Sequence, residues 1–195
     1  TIDDGPDPDV TPGVLEILHK HSVSASFFCI GERVAAHPDL CRAIVAGGHT
    51  IENHSHRHSH CFSLLGLRGI RQEIQTAQEV IASITGRSPC FFRAPAGLRS
   101  VLLYPVLHRL GMRQVSWTRR GYDTRIHNAS VVYKRLTRGL AAGDILLLHD
   151  GHAARTSNNA PVIIEVLPQL LETIAARGLR ATNLQTALGD ASVHS

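Results

Sequence analysis

The chain contains 195 residues, of which 43% are hydrophobic and 18% are charged, as expected for one globular domain that buries its own core without disulfide or metal staples. Its formal net charge is +4, and the basic residues are scattered along the chain, which argues against a nucleic-acid-binding surface. No apolar run approaches the roughly 18 residues that a membrane-spanning helix needs.

The first residue and the cysteines bear on processing and location. The chain begins at Thr1, inside what looks like a working motif. We therefore expect a trimmed N-terminus, and because a signal peptide or anchor could be lost with it, secreted, periplasmic and membrane-associated locations stay open. Cys29 and Cys90 lie in apolar runs and are predicted to be buried thiols. The disulfide state of the four cysteines is left open, since a domain of this size needs none.

Short apolar runs alternate with amphipathic stretches along the whole chain. Strands are predicted at 1–2 (truncated), 25–30, 49–53, 90–93, 112–117, 144–149 and 179–183. Helices are predicted after N-caps at Thr11 and Asn128, after His37, over 67–85, over 100–110 and over 161–177, where Pro168 is expected to kink the helix, with a short helix at the end.

Strict alternation of strands and helices predicts a parallel sheet covered by helices. About seven βα units without an obvious switch point favour a distorted (β/α)7-8 barrel over an open sheet, in a single domain spanning residues 1–195. In such barrels, residues at the C-terminal ends of the strands form the functional site. The polar residues that follow the predicted strands are therefore the candidate functional residues.

A histidine-rich segment follows the third predicted strand, with His54 and His58 four residues apart. On a helix or a tight helical turn these positions share a face, and two neutral imidazoles can hold one divalent cation, with Zn–N distances of roughly 2.0–2.1 Å. His56 and His60 offer a second pair with the same spacing, and Cys61 adds a soft donor. A solvated, histidine-rich loop is the alternative, so a third ligand has to come from elsewhere.

Two adjacent carboxylates, Asp3 and Asp4, directly follow the first predicted strand. One of them would complete a site of two histidines and one carboxylate, which leaves positions open for water and substrate, as in catalytic metal sites. The second carboxylate would be free to act as a base. The alternative is a solvated Asp-Gly-Pro turn.

Three other strand ends carry candidate residues. Arg93 opens the segment Arg-Ala-Pro-Ala-Gly and is suited to orient a buried carboxylate, although a surface arginine would also fit. His149 follows three leucines and stands where a general acid is needed, although a satisfied core histidine is the alternative. Trp117 and Asp123 follow the fifth strand, the aspartate as an orienting partner for a histidine and the tryptophan as a core or site residue.

Taken in order, these segments resemble the polysaccharide deacetylases, the NodB-homology domain of carbohydrate esterase family 4. Thr1 to Pro6 is similar to the family's T-F-D-D-G-P, with Ile in place of Phe, and 53–58 fits N-H-[ST]-x-x-H. Residues 93–97 fit R-x-P-x-G, and 147–149 fit L-x-H. With the Trp117 to Asp123 segment, five motifs occur in family order over essentially the whole chain, and the family's fold is a distorted barrel of seven or eight strands.

The resemblance implies a role for each motif residue. Asp4, His54 and His58 would bind one divalent metal ion, with zinc favoured and cobalt, nickel or manganese as alternatives. Asp3 would be the base and His149 the acid. Arg93 would position Asp3, and Leu147 would line the acetyl pocket. Our own interpretation of the residues adds Asp123 as the partner that orients His149, the Ala96 backbone N–H as a donor to the oxyanion and Trp117 as a substrate contact. His56 and His60 are then neighbours of the metal site and not ligands.

Two positions depart from the family pattern. Thr124 stands where a second aromatic residue usually follows Asp123, and Ala96 replaces a tyrosine that is common in the family. Fewer aromatic faces mean less area for stacking on sugars, which disfavours a long, flat polymer such as chitin.

The expected reaction is metal-assisted hydrolysis of an N-acetyl group on an amino-sugar glycan. Deacylation or deformylation of another amide, such as a lipid-linked amino sugar, would use the same motifs. A non-catalytic carbohydrate-binding relic is the alternative from another class, and the intact acid and base argue against it. The expected partner is an N-acetylated glycan, without nucleic acid and without a membrane span in this segment.

Overall fold

The computed structural model describes residues 1–98 and 100–189 of the chain. Seven short strands make up its sheet: β1 (Ile2–Asp3), β2 (Ser26–Cys29), β3 (Thr50–Asn53), β4 (Phe91–Phe92), β5 (Arg113–Gln114), β6 (Arg119–Arg120) and β7 (Leu146–His149). The strands are parallel and lie in the order β5-β4-β3-β2-β1-β7-β6. The sheet is curled, and β5 and β6 are its two edges. Because no pairing joins these two strands among the described residues, the barrel is not closed. The predicted distorted barrel fold is confirmed.

Eight helices connect and cover the strands within the described residues: α1 (Thr11–Lys20), α2 (Gly31–Ala36), α3 (Pro38–Ala46), α4 (Leu67–Thr85), α5 (Leu103–Arg109), α6 (Ala129–Thr137), α7 (Val162–Ala176) and α8 (Leu184–Leu188). None of the described helices combines the length and apolarity needed to cross a bilayer.

The longest helix, α4, has the bounds that its hydrophobic period predicts. Ile70, Ile74, Ala77 and Ile81 form a fully buried stripe on one face. Gly86 ends the helix with φ 71°, a left-handed conformation that glycine adopts without strain. Helical period and a glycine stop are therefore sufficient to locate this helix.

At other helices the sequence predicted the N-terminal cap correctly in one case, wrongly in another, and missed one short helix. Asn128 caps α6 as predicted, accepting a hydrogen bond from the N–H of Val131 at 3.1 Å. Thr11 lies inside α1 and not at its N-cap, because its hydroxyl donates to the buried carboxylate of Asp150 at 2.6 Å. Helix α2 was not predicted, since its six residues are too few for a helical period to be recognised.

The strand predicted at 179–183 is wrong, and the seventh strand is instead β6, which was not predicted. The backbone N–H groups at the end of this segment bond to serine side chains and not to a neighbouring strand. The N–H of Asn183 donates to Ser24 Oγ at 3.3 Å, and that of Leu184 donates to Ser26 Oγ at 2.9 Å. Asn183 then caps α8 by accepting from the N–H of Thr186.

The core lies between the sheet and the helices packed on it. A single cluster joins Val14 and Leu18 of α1 to Phe27 of β2 and Val166 of α7. Cys29 is buried as predicted, whereas Cys90 is only partly buried. This packing holds the strands in a fixed register, in which Asp3 lies opposite both Phe28 and His149 while Asn53 lies opposite Phe92. The residues that follow these strands therefore meet at one end of the barrel.

Candidate metal centre and catalytic pocket

The loop that carries the histidines is not helical, contrary to the expected helical turn. Ser55 and His58 have φ of 64° and 51°, both in the left-handed region. Asn53 Oδ1 accepts from the Ser55 N–H at 2.9 Å, and Ser55 Oγ accepts from the His58 N–H at 3.0 Å. These local bonds close the turn and bring the rings of His54 and His58 to a centroid separation of 4.8 Å.

Two helices anchor this loop from below. The first backbone N–H groups of α2, from Gly31 and Glu32, donate to the carbonyls of Ser55 and His56 at 3.0 and 2.9 Å. These are N–H groups that a helix start leaves without an internal partner. From α4, the buried Glu73 accepts from the Arg57 N–H at 2.9 Å. The histidine loop is thus held at several points before any ligand binds.

Asp4, His54 and His58 present three donor atoms to one point. Asp4 Oδ1 lies 3.2 Å from His54 Nε2 and 3.3 Å from His58 Nε2, and the three donor atoms all lie within 4.8 Å of one another. Asp4 Oδ1 is a buried atom without a hydrogen-bond partner among the described residues. His54 Nδ1 donates to the carbonyl of Arg93 at 2.8 Å, which leaves Nε2 as the atom available to a metal. An orphaned carboxylate oxygen between two imidazole nitrogens fits a divalent cation.

Burial and neighbouring charges set the protonation of these three groups in the metal-free protein. Burial acts to raise the pKa of Asp4, but close contacts with His152 and His54 outweigh it and leave the pKa lowered. Burial acts to lower the pKa of His54, and contacts with Asp4 and Asp3 raise it overall. The pKa of His58 falls to about 4 through burial and the charge of His54. The metal-free site therefore favours a proton on His54, which a cation has to displace.

Arg93 and Asp3 form a buried ion pair beside the metal site. Arg93 Nη1 donates to Asp3 Oδ1 at 2.5 Å, and both side chains are almost fully buried. The guanidinium also donates to the backbone carbonyls of Val115 and Ser116 and stacks at 4.0 Å over the ring of Phe28. The second oxygen of Asp3, Oδ2, lies 3.9 Å from His54 Nε2. Asp3 is therefore locked through one oxygen while the other faces the metal site.

His149 and Asp123 form a second pair across the pocket. His149 Nδ1 donates to Asp123 Oδ1 at 2.9 Å, and the His149 backbone N–H donates to Asp123 Oδ2 at 2.7 Å. Burial acts to lower the pKa of His149, but the hydrogen bond and charge of Asp123, together with the charges of Asp3 and Asp4, raise it. The imidazole is thus oriented by Asp123 and favoured in its protonated form.

A cavity of about 240 Å³ joins these groups. Eight of the ten residues predicted for the site line it: Asp3, Asp4, His54, His58, Ala96, Trp117, Leu147 and His149. The other two, Arg93 and Asp123, lie behind it, bonded to Asp3 and His149 respectively. The structure therefore brings all ten together. His60 lines the cavity, and His56 and Cys61 do not. None of these three residues belongs to the donor group of Asp4, His54 and His58.

The loop at Ala96 and Gly97 is shaped by positive φ angles and by Trp117. Ala96 has φ 53° and Gly97 has φ 72°. A Cβ atom on Gly97 would lie 2.5 Å from the Trp117 ring, so only glycine lets the loop approach the tryptophan this closely. The close approach places the exposed Ala96 on the cavity wall.

Several cavity residues were missed by the sequence analysis, namely His152, Arg120 and Arg125. His152 Nδ1 lies 3.4 Å from Asp4 Oδ2, although the two residues are 148 positions apart. His152 follows the end of β7 by three residues, and this position could have marked it as a candidate site residue. Arg120 was not singled out, because the side of the sheet to which it points depends on β6, a strand that was not predicted.

Comparison with known proteins places this geometry in a family. The polysaccharide deacetylase family profile matches residues 1–115. A chitooligosaccharide deacetylase of Azorhizobium caulinodans is 36% identical over 152 residues, covering 77% of this chain and 72% of that protein. A peptidoglycan-N-acetylglucosamine deacetylase of Listeria monocytogenes is 29% identical over 185 residues, and the alignment spans 95% of this chain but only 39% of that relative.

Solved structures share the fold. The family 4 carbohydrate esterase of Streptomyces lividans, solved with acetate, superposes with a TM-score of 0.83 at 29% identity, covering 92% of this chain and 88% of that one. A family 4 pseudoenzyme of Bacillus anthracis superposes with a TM-score of 0.86 at 25% identity, covering 96% of this chain and 63% of that one. The matched profile, the relatives and the shared fold agree with the geometry of the pocket, and the chain belongs to the polysaccharide deacetylase family.

Proposed function

We propose that this domain is a metal-dependent hydrolase that removes N-acetyl groups from an amino-sugar glycan. One observation carries the proposal: the donor group of Asp4, His54 and His58 shares a single cavity with Asp3 and His149. Named relatives that deacetylate chitooligosaccharide or peptidoglycan support the same reaction class. A hydrolase of this kind needs a base and an acid on either side of the amide.

The donor set would be Asp4 Oδ1, His54 Nε2 and His58 Nε2, which suits zinc, with cobalt, nickel and manganese as alternatives. When bound, such a cation supplies Lewis-acid chemistry and lowers the pKa of water toward about 7. Three protein ligands leave room for water and substrate, as a catalytic site requires.

Asp3 serves as the general base in this proposal. Its Oδ1 is occupied by Arg93, so Oδ2 is the oxygen that takes a proton from the attacking water. The buried guanidinium of Arg93 also fixes the position of the Asp3 carboxylate, so that Oδ2 stays directed at the metal site.

His149 serves as the general acid. An amide nitrogen leaves only after it is protonated, and His149 Nε2 delivers that proton while Nδ1 stays bonded to Asp123. The backbone N–H of Ala96 donates to the oxygen that gains charge, and Leu147 contacts the methyl group of the acetyl.

The cavity size favours a short acyl group. Its volume of about 240 Å³ is below the roughly 300–1,000 Å³ typical of sites for drug-sized ligands, so an acetamide fits better than a fatty acyl chain. The related Bacillus anthracis pseudoenzyme makes a non-catalytic role the natural rival. The complete set of Asp3, Asp4, His54, His58 and His149 in one cavity favours catalysis.

Acetate release decides the proposal. The zinc-loaded protein is incubated with chitooligosaccharides and with peptidoglycan glycan strands, before and after chelation, and Asp3→Asn is assayed in parallel. We expect acetate release that stops on chelation, returns with zinc, and falls about 10²–10⁴-fold in Asp3→Asn at unchanged zinc content. Zinc-loaded protein that releases no acetate from any substrate would overturn the proposal.

A further inference from the structure

Strand β6 presents two arginines with different surroundings. Arg119 pairs with Asp144 at 2.5 Å and also donates to the backbone carbonyls of Arg138 and Gly139. Arg120, the next residue, lines the catalytic cavity instead. Successive side chains of a strand point to opposite faces, so the two cations have separate roles. Arg119 is bonded to the scaffold, whereas Arg120 belongs to the pocket wall.

Aromatic rings hold the guanidinium of Arg120 in place. Its central carbon lies 5.2 Å from the ring centroid of Trp117 and 4.9 Å from that of Tyr122. Its Nε is a buried atom without a hydrogen-bond partner among the described residues. Stacking on a ring leaves the edge of a guanidinium able to donate hydrogen bonds to an anion. Arg120 is therefore positioned but not neutralised.

The carboxylates near this cavity are already engaged. Asp3 is paired with Arg93, Asp123 is paired with His149, and Asp4 belongs to the donor group for a cation. Within residues 1–98 and 100–189, no ion pair involves Arg120 or Arg125, although both line the cavity. Two uncompensated guanidiniums therefore face the space where the substrate has to sit.

We propose that Arg120, assisted by Arg125, selects N-acetylated glycans that carry a carboxylate on the reacting sugar or on its neighbour. This inference rests on the proposed deacetylation and names its substrate class. The planar fork of a guanidinium matches a carboxylate with two parallel hydrogen bonds. The carboxylate can be the lactyl ether of a muramic acid or the acid group of a uronic acid, which present the same chemistry. A neutral chitooligosaccharide lacks this partner.

Matched substrates test the proposal. One is a tetrasaccharide of alternating N-acetylglucosamine and N-acetylmuramic acid with free lactyl carboxylates, and its control is the same molecule with methyl-esterified carboxylates. A tetrasaccharide of alternating N-acetylglucosamine and glucuronic acid, free or esterified, separates the two sources of carboxylate. The measured quantity is the ratio of kcat/KM for the free acid to kcat/KM for its ester, with zinc-loaded protein.

We expect the ratio to exceed about tenfold for at least one pair in the wild-type protein, in line with a charge-assisted hydrogen bond in a pocket. The ratio should fall toward one in Arg120→Met, mainly through KM. Arg120→Lys should keep part of it, because a lysine retains the charge but not the fork. Arg125→Met should lower it less. The matched control is Arg113→Met, since Arg113 lies on β5, stacks 5.7 Å from the ring of Phe91 and does not line this cavity.

A binding measurement tests the same preference for the free acid without depending on turnover. Calorimetry with zinc-loaded Asp3→Asn should show tighter binding of the free acid than of the ester, and adding Arg120→Met should remove the difference. A wild-type ratio near one for both pairs, or a high ratio that survives in Arg120→Met, would overturn the carboxylate inference while leaving the deacetylase proposal intact. Absence of acetate from every substrate would instead reject the deacetylase proposal, and the binding comparison would still decide the role of Arg120.

Discussion

His152 Nδ1 lies 3.4 Å from Asp4 Oδ2, while the other oxygen of Asp4 lies between the Nε2 atoms of His54 and His58. Arg33 Nη2 donates to His152 Nε2 at 3.1 Å. Because arginine has no acceptor, His152 Nε2 carries the lone pair and Nδ1 carries the proton that is donated to Asp4. His152 thus fixes the rotation of a carboxylate expected to bind metal, and Arg33 fixes the tautomer of His152.

Loss of this contact should weaken metal binding. We expect His152→Ala to lower zinc affinity about 10–100-fold, the usual cost of removing a hydrogen-bond partner of a metal ligand. His152→Asn should restore much of the affinity, because its amide nitrogen occupies nearly the position of Nδ1. Competition with a zinc-chelating dye measures the affinity, and His108→Ala, on α5, is the control. Equal affinity in the wild type and His152→Ala would contradict this role.

Metal binding should release a proton from His54. The contacts of His54 with Asp4 and Asp3 raise its pKa in the metal-free protein despite burial. Zinc affinity should therefore fall as the pH is lowered, since protons compete for Nε2 more strongly than at an ordinary histidine. Calorimetry in buffers of different ionisation enthalpy counts the protons released. Zinc binding at pH 7 that releases no proton would be inconsistent with this account.

The alkaline limb of the activity profile should follow His149. As the acid, His149 has to be protonated, so kcat/KM should fall as the pH rises through its raised pKa. Asp123→Asn removes the carboxylate that raises this pKa, so the limb should move to lower pH and the maximum rate should drop. Profiles of kcat/KM from pH 5 to 10 test this shift, with Arg113→Met as the variant whose limb should stay in place.

Asp150 should make stability depend on pH. This carboxyl is fully buried, and burial raises its pKa to about 7 although Thr11 and Gly151 donate hydrogen bonds to it. The folded state holds the Asp150 proton more tightly than the unfolded state. The stability that this one group contributes is therefore fully present below the unfolded pKa of 3.8 and is lost as the pH rises through about 7.

The expected loss between pH 5 and 8 is about 2–3 kcal/mol for this one group. Urea unfolding of the metal-free protein at both pH values measures it, with Asp150→Asn as the reference that cannot titrate. The stability of the wild type relative to Asp150→Asn should be higher at pH 5 than at pH 8. The reverse order would show that Asp150 is already ionised in the folded protein.

Gly97 should be irreplaceable because of Trp117. In Gly97→Ala the new methyl group would lie 2.5 Å from the indole ring, in addition to the strain of φ 72°. Gly143 is the matched control, since its φ is 85° and a Cβ there would meet nothing within 4 Å. Gly143→Ala should cost about 1 kcal/mol of unfolding free energy with unchanged kcat/KM. Gly97→Ala should cost more and also lower kcat/KM, as measured by urea unfolding and acetate release.

The positions of most strands, the bounds of α4 and the candidate residues of the pocket could be predicted from the sequence. These features depend on local information: hydrophobic period, glycine and asparagine at helix ends, and polar residues directly after apolar runs. Because parallel strands place their C-terminal ends on one side, residues from five separate segments could be expected to meet. Asp3, His54, Arg93, Asp123 and His149, one from each segment, were identified as candidates in this way.

The surroundings of those residues depend on contacts between segments that are distant in the sequence. The tautomer of His54 depends on the carbonyl of Arg93, and the contact of His152 with Asp4 joins segments 148 positions apart. The side on which Arg120 lies depends on β6, a strand of two residues that pairs with β7. Hydrogen bonds and ion pairs between distant segments leave no periodic trace in the sequence, so the donor orientations and the charge of the pocket became visible only when the chain was folded.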